Sequence, residues 1–265
     1  MNKVKPKIPL QIFFLLSICC MLCACQTDSM LSEQTIQSEK SLQQVLEEQP
    51  IDDTHDAFLI DTGGKLGTLL ITVEWDPENA QYGYDALLHF TVWDSAHMDT
   101  PLQTMEAYSD IFHWSQITDA NFDGYQDFGY MYSMGNQPVF WHFWIWDESR
   151  KLFIRETEFD RISDPTFNQE TKTINGWARS SGMGTGLAAI YQWVEGKLIC
   201  MRRIEIDLDK KTGRIDFIVK DFINDKFEEV YHSTFLPETK EHLDTSMKWQ
   251  DLDYHGEPAE LNRTE

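Results

Sequence analysis

Basic residues and cysteine are scarce in this chain of 265 residues, and each shortage narrows what the protein can be. The chain has 22 Lys and Arg against 44 Asp and Glu, which gives a formal net charge of −22. Binding to phosphate backbones needs clustered Lys and Arg, so we expect no nucleic-acid partner. Four of the five cysteines fall within the first 25 residues. The remainder contains only Cys200, which excludes an internal disulfide and is expected to be a buried, inert thiol.

Motifs of the common enzyme classes are also missing. The chain has no Gly-x-Ser-x-Gly and no His-Glu-x-x-His sequence. The triplet Asp61-Thr62-Gly63 occurs once, whereas an aspartic protease needs two carboxylates, so we interpret it as a strand-ending turn. Gly182–Gly186 lacks the ending of a phosphate-binding loop and is expected to connect a hairpin. His142 lies in an aromatic segment and is expected to be a hydrogen-bonded core residue, so we predict no catalytic function.

The N-terminus has the features of a bacterial export signal. Lysines precede an apolar stretch, Ile12 to Cys25, which is shorter than the roughly 20 residues of a membrane-spanning helix. The stretch ends in Leu22-Cys23-Ala24-Cys25, which resembles the lipobox of bacterial lipoproteins. By that resemblance residues 1–24 are the signal peptide and Cys25 carries the lipid. An ordinary signal peptide with a fortuitous cysteine is the alternative.

Residues 25–52 are predicted to form a tether between the lipid and the folded domain. From Gln26 to Pro50 there is no aromatic residue and no glycine, while Gln, Ser and Glu dominate. Leu42, Val45 and Leu46 have helical spacing, so a short amphipathic helical turn against the domain is an alternative to a solvated linker.

Residues 53–265 are predicted to form a single all-β domain. Apolar and polar residues alternate in Gly67–Trp75, Leu88–Val92 and Ile215–Val219, as in half-buried strands. Phe140–Trp146 is apolar on both faces and predicts an interior strand. Turn sequences separate the segments; they are Thr62-Gly63-Gly64, Asp147-Glu148-Ser149, Glu195-Gly196 and Lys211-Thr212-Gly213. This spacing favours an antiparallel meander, either propeller-like or a sandwich.

The nine residues from Asp119 to Asp127 form the strongest motif, which predicts a calcium site. Ca²⁺ takes six to eight oxygen ligands, and a tight loop supplies them from alternate positions. The predicted ligands are Asp119, Asn121, Asp123, the carbonyl of Tyr125 and Asp127. Gly124 permits the sharp bend between them.

An EF-hand and a plain turn are two other interpretations of this loop. The twelfth position is Tyr130 where an EF-hand has Glu, and the flanks are predicted strands, so an EF-hand is excluded. A plain Asp-Gly turn with solvated acids is the alternative to calcium. Softer metals are not expected, because no His or Cys pair accompanies the loop.

Around the loop the sequence resembles a known group of exported bacterial proteins, many of them lipoproteins. The resemblance covers roughly residues 55–235. It rests on Ile117–Phe128, Phe140–Asp147, Pro165–Phe167, Lys172–Ile174 and Tyr191–Trp193. The group is similar to β-propeller-like lysozyme inhibitors. One branch is an envelope immunity protein that neutralises a cell-wall-degrading toxin and binds calcium in this loop, so the resemblance implies a structural calcium ion and a protein partner.

These observations predict a non-catalytic lipoprotein, anchored to a bacterial membrane through Cys25 and facing the periplasm or the cell exterior. Its calcium-stabilised β-domain would bind an envelope protein, with inhibition of a lysozyme-like hydrolase as the most concrete version. A carbohydrate-binding module is one alternative, although the strand tryptophans are expected to be core residues. Those tryptophans are Trp75, Trp93, Trp141, Trp144 and Trp146. A hydrolase without a linear motif is the other alternative.

Overall fold

The computed structural model describes residues 42–81, 85–135, 138–180, 185–237 and 239–255. These residues form three open antiparallel sheets. The first sheet contains β1 (His55–Asp61), β2 (Thr68–Asp76), β3 (Ala86–Asp94) and β4 (Gln103–Ser109). The second contains β5 (Ser115–Thr118), β6 (Asp127–Met134), β7 (Val139–Asp147) and β8 (Leu152–Glu156). The third contains β9 (Thr166–Asn168), β10 (Thr173–Arg179), β11 (Gly186–Val194), β12 (Lys197–Asp209), β13 (Arg214–Ile223) and β14 (Lys226–Phe235).

In every sheet the strands pair in chain order, so the prediction of an all-β antiparallel meander is confirmed. The predicted turns lie between paired strands, and Asp61-Thr62-Gly63 ends β1 as expected. Short 3-10 helices cover Pro77–Asn79 and Thr157–Arg161. Two α-helices flank the sheets, α1 over residues 42–48 and α2 (Lys240–Lys248).

Side-chain alternation forms the core as the sequence predicts. In β3 every second residue is buried, and the same holds for the first half of β13. In β2, Leu69, Ile71 and Val73 face one core cluster as predicted. Leu70 points to the other face and is also fully buried, so the middle of β2 is covered on both sides.

The second sheet lies between the other two, and β7 is one of its two interior strands. Trp144 and Trp146 belong to the cluster shared with the first sheet, which includes Phe90. Phe143, on the opposite face, belongs to the cluster shared with the third sheet, which includes Ile174. Both faces of this strand are covered, so the prediction that Phe140–Trp146 forms an interior strand is confirmed.

One glutamine joins the edges of the first and second sheets. The side-chain Nε2 of Gln103 on β4 donates to the carbonyl of Phe153 on β8 at 2.7 Å, and its Oε1 accepts from the Phe153 N–H at 2.8 Å. An exposed strand edge offers unpaired backbone groups to other chains. Gln103 occupies one such position on β8.

The C-terminal segment is attached to the third sheet by a buried arginine. Arg202 on β12 is fully buried and pairs with Asp221 on β13 at 2.6 Å. Its guanidinium also donates to the backbone carbonyls of Trp249 and Asp251, at 3.3 and 2.7 Å, and lies over the Trp249 ring. A buried guanidinium with carboxylate and carbonyl acceptors fixes the chain that follows α2 against the sheet.

The signal peptide and the predicted lipidation residue, Cys25, lie outside the described residues, as does Gly182–Gly184 within the predicted hairpin connection. That connection joins β10 and β11, which pair antiparallel. The described end of the predicted tether is helical: α1 includes the buried Leu42, and the helical spacing noted in the sequence is present there. Among the described helices, none is both long and apolar enough to cross a membrane.

Candidate functional site

The predicted calcium loop connects β5 to β6. β5 ends at Thr118 and β6 begins at Asp127, so the loop is flanked by strands, as predicted. Ala120 is fully buried within the loop, whereas Asp123 and Gly124 are exposed. One end of the loop is therefore part of the core and its tip lies at the surface.

Acidic and amide side chains of the loop fold inward onto its own backbone. The carboxylate of Asp119 accepts from the N–H groups of Asp123 and Gly124 at 3.0 and 2.9 Å. The Asn121 Oδ1 accepts from the Asp123 N–H at 3.1 Å, and the Asp123 Oδ1 accepts from the Tyr125 N–H at 2.9 Å. These bonds hold the alternate-position oxygens on the inner side of the turn.

The turn needs backbone conformations that few residues adopt. Gly124 has φ of +94° and Phe122 has φ of +61°. Glycine takes a positive φ without steric cost, which explains Gly124 at the bend. For Phe122 this conformation costs about 1–3 kcal/mol. Packing of the Phe122 side chain against the hydrophobic cluster between the second and third sheets offsets that cost.

Asp127 is the buried member of the predicted ligand set. Its two carboxylate oxygens accept from the N–H groups of Ala120 and Trp146 at 2.7 and 2.8 Å. Burial raises the pKa of Asp127 to about 7, and repulsion from Asp123 and Asp119 adds to the rise. No described Lys, Arg or His is among the groups that shift its pKa. A cation nearby would remove the cost of this buried charge.

The oxygen chemistry of the loop fits a hard divalent cation. Carboxylate, amide and backbone carbonyl oxygens are the ligands that Ca²⁺ prefers. Within the described part of the chain, no three His, Cys, Asp or Glu side chains form a group that could hold a metal by themselves. A calcium site here would therefore depend on the Asn121 amide and the Tyr125 carbonyl as much as on the three aspartates.

The same loop contacts both other sheets, which the sequence did not predict. The Gln126 N–H donates to the carbonyl of Thr62 in the β1–β2 turn at 3.1 Å. Gln169 donates from its Nε2 to the Asp119 carbonyl, and Trp193 donates from its Nε1 to the Ala120 carbonyl, both at 2.9 Å. The loop is thus the point at which the first, second and third sheets meet.

A cleft with a volume of 540 Å³ opens beside the loop; we call it the loop cleft. One wall is the loop itself, and the others are the β7–β8 hairpin and the β11–β12 turn. Its carboxylates are Asp123, Asp147, Glu148 and Glu156, and its basic residue is Arg155. Trp193 and Ile154 supply apolar surface. The cleft therefore combines an excess of negative charge with an apolar lining.

A second cleft, of 450 Å³, lies between β4 and the second sheet; we call it the His142 cleft. The His142 ring stacks on Tyr132 with centroids 4.0 Å apart. Its Nε2 lies 3.0 Å from the Tyr108 carbonyl, and its Nδ1 lies beside Asp160 and Arg155. Both ring nitrogens have partners, so the prediction of a hydrogen-bonded core histidine is confirmed.

The rim of the His142 cleft is acidic. Asp85, Glu106 and Asp110 lie around it. Glu106 is 3.1 Å from a ring nitrogen of His89, and Asp110 accepts from the Ser133 hydroxyl at 3.1 Å. The sequence contained no linear signal for this grouping, because Asp85 precedes β3 whereas Glu106 and Asp110 lie on and just after β4.

The five strand tryptophans proposed as core residues are all at least half-buried. Trp144 and Trp146 are buried, and Trp75, Trp93 and Trp141 are half-buried. Trp114, which was not singled out from the sequence, has 55% of its surface exposed. Cys200 is a half-buried free thiol whose pKa is raised by burial. The sequence predicted a buried thiol, and Cys200 is only half-buried. The raised pKa lowers the thiolate fraction, which agrees with the predicted inert role.

No family model matches the chain, and no curated protein matches it. Among solved structures, a chain described as "Structure of a Xanthomonas Type IV Secretion System related protein" is similar over 69% of this chain and 96% of its own length. The identity is 12% and the TM-score is 0.46. A likeness at this level does not bear on the role of the loop or the clefts.

Proposed function

We propose that this protein is an exported, lipid-anchored, non-catalytic envelope protein whose calcium-stabilised β-domain binds a basic protein partner. A lysozyme-like hydrolase is the partner class that we favour. The observation that carries the proposal is the Asp119–Asp127 loop, which presents a calcium-type oxygen set at the meeting point of three sheets.

The role of calcium in this proposal is structural. Asp119, Asn121, Asp123, the Tyr125 carbonyl and Asp127 would hold one ion. The ion would offset the repulsion among three carboxylates and the cost of burying Asp127. It would thereby stiffen the loop and the contacts that the loop makes with all three sheets, which gives a rigid recognition surface.

Charge supports a basic partner. The chain carries a net charge of −22, and the two clefts described above are rimmed by carboxylates. Long-range attraction to a positively charged protein accelerates encounter and orients the approach. We place the recognition surface at the loop cleft, because its apolar lining supplies the buried contact area that charge alone does not.

A non-catalytic role is supported by the state of His142. Its two nitrogens are engaged by the Tyr108 carbonyl and by Asp160 and Arg155, so the ring is held as a structural group. The anchoring part of the proposal rests on the lipobox ending in Cys25. A diacylglycerol-modified cysteine carries enough acyl chain for stable attachment.

The test is binding of the purified protein to a panel of basic lysozymes and envelope hydrolases, with and without calcium. We expect at least one complex, weakened by EDTA and by high salt. Glu156→Gln in the loop cleft should weaken it about two- to fivefold, as expected for one exposed charge pair. Glu229→Gln, on β14 outside the cleft, is the matched control. Absence of binding or inhibition across the panel would remove the proposal.

Carbohydrate binding remains the second candidate, because Trp114 is exposed and Trp193 lines the loop cleft beside carboxylates. Exposed aromatic rings next to polar groups suit sugar rings. A glycan array with wild type and Trp114→Ala separates this candidate from protein binding. The hydrolase alternative would place its acid pair in the His142 cleft, at Glu106 and Asp110, and peptidoglycan turnover checks it.

A further inference from the structure

His242 occupies an unusual position for a histidine, on the face of α2 that packs against the third sheet. It is 4% exposed. Its ring lies 5.8 Å from the ring of Phe235 on β14, nearly stacked, and 6.2 Å from the ring of Phe217 on β13 at a steep angle. The imidazole therefore fills an aromatic cage between the helix and the sheet.

Within the part of the chain that the structure describes, neither nitrogen of this ring has a hydrogen-bond partner. A neutral imidazole tolerates such a site at the cost of an unsatisfied donor and acceptor, whereas an imidazolium would be a buried, unpaired charge. Burial is also the sole cause that lowers the pKa of His242, with no charged neighbour contributing. The buried site thus favours the neutral ring over the imidazolium.

Of the residues that the structure describes, those around the cage offer no counter-charge. β13 and β14 present aromatic rings to it, and the titratable members of the surrounding cluster are Tyr231 and Tyr254. The ion pair between Arg202 and Asp221 is satisfied within itself and lies at the opposite end of α2, beneath Trp249. The charged residues of α2 are Lys240, Glu241, Asp244 and Lys248.

We propose that His242 is a pH-sensitive latch, which keeps α2 docked on the third sheet while the ring is neutral and releases that end of the helix when the ring is protonated. Since the docked ring has no access to solvent or to an acceptor, the proton is taken up by the undocked helix. Protonation therefore traps the open state.

The direction of the pH dependence follows from the linkage between proton binding and docking of α2. The undocked ring titrates near the ordinary histidine value of about 6.5, and the docked ring titrates lower. Docking of α2 is most favourable above about pH 6.5. It weakens as the pH falls from 6.5 towards the lower pKa of the docked ring. Within that window the population of the open state rises by up to about tenfold per pH unit, because one proton is bound on opening.

On release, α2 would rotate about its C-terminal end, which stays attached to the third sheet. Arg202 continues to bond the carbonyls of Trp249 and Asp251 at acidic pH, because neither the guanidinium nor a backbone carbonyl titrates there. The N-terminal part of α2 would swing away while the segment after the helix stays attached. Opening would uncover the apolar face formed by β13 and β14, including Phe217 and Phe235.

The test is hydrogen exchange of the α2 amides in the full chain between pH 5 and pH 8, corrected for intrinsic exchange rates. In the wild type the opening constant should rise as the pH falls below 6.5. In His242→Phe, which keeps an aromatic ring in the cage, the profile should be flat. His232→Gln, which removes an exposed histidine on β14 that is paired with Asp216 on β13, should keep the wild-type profile.

A direct titration keeps the proposal falsifiable if a variant fails to fold. The ring of His242 in the native wild type, followed by NMR, should titrate below 6.5. A ring that titrates at 6.5 or above overturns the latch. So does an α2 exchange profile that is independent of pH, or one that is unchanged in His242→Phe.

Discussion

The carboxylate of Asp127 accepts a hydrogen bond of 2.8 Å from the backbone N–H of Trp146. This contact ties the end of the candidate calcium loop to β7, the neighbouring interior strand of the second sheet. Because Asp127 is fully buried, the bond satisfies a backbone group that would otherwise be unpaired in the core. It makes the loop part of the core as well as a candidate ion site.

Calcium removal should lower the thermal stability of the protein. At a calcium concentration 100 times the dissociation constant, binding to the native state contributes about 2.7 kcal/mol. For a domain of this size that corresponds to a melting-temperature rise of about 5–10 °C. Calorimetry with calcium and with EDTA measures both quantities.

A matched pair of variants separates the loop from other acidic turns. Asp119→Ala should abolish the calcium response, whereas Asp209→Ala, in the β12–β13 turn, should retain it, because Asp209 caps an ordinary turn through Lys211 and Thr212. An unchanged melting temperature with EDTA, together with no heat of calcium binding, would show that the loop is a plain turn.

Replacing Asp127 should destabilise the protein more than replacing the exposed loop acids. Asp127→Ala leaves the buried N–H groups of Ala120 and Trp146 without acceptors, and we expect a loss of about 3 kcal/mol in the free energy of unfolding. Urea denaturation in EDTA measures it without a contribution from calcium. A loss no greater than that of Asp123→Ala would contradict this role.

The contact between Gly129 and Phe143 should not tolerate a methyl group. A Cβ at Gly129 would lie 2.6 Å from the Phe143 Cζ, in the layer between the second and third sheets. Gly129→Ala should therefore cost about 1–3 kcal/mol through overpacking. Gly135→Ala, whose nearest neighbour would be 3.8 Å away, is the control and should change stability little. Equal chemical-denaturation midpoints for the two variants would refute the prediction.

Removal of the Arg202 guanidinium should loosen the C-terminal segment. Arg202→Met leaves Asp221 without its buried partner, and we expect a loss of about 3–5 kcal/mol. The double variant with Asp221→Leu should recover much of this loss. Lys220→Met breaks a partly exposed pair with Glu205 and should cost less than about 1 kcal/mol. Similar losses in the two single variants would argue against a special role for Arg202.

Strand periodicity predicted most of the fold, because burial of a strand repeats every two residues. The alternation in β3 and in Ile215–Val219 of β13 appears in the structure as predicted, and the doubly apolar Phe140–Trp146 is an interior strand. The same reasoning treated the Leu70 side of β2 as polar, since Thr68, Thr72 and Glu74 share it. Leu70 is buried nonetheless, which a one-strand pattern does not reveal.

The candidate loop was located from sequence, since its oxygens follow one another within nine residues. Its neighbours were not, because Gln169 and Trp193 are separated from it by 50 and 73 residues of chain. Side chains that distant meet only after the sheets have stacked. The two clefts and the cage around His242 were missed for the same reason.

Local order along the chain determined the strands, the turns between them and the acidic nine-residue loop, since each depends on residues a few positions apart. The stacking of the three sheets decided that Asp127 is buried, that the loop joins all three sheets, and that His242 lies in an aromatic cage. Burial and desolvation are properties of distant surfaces brought together, so they arise only in the folded molecule.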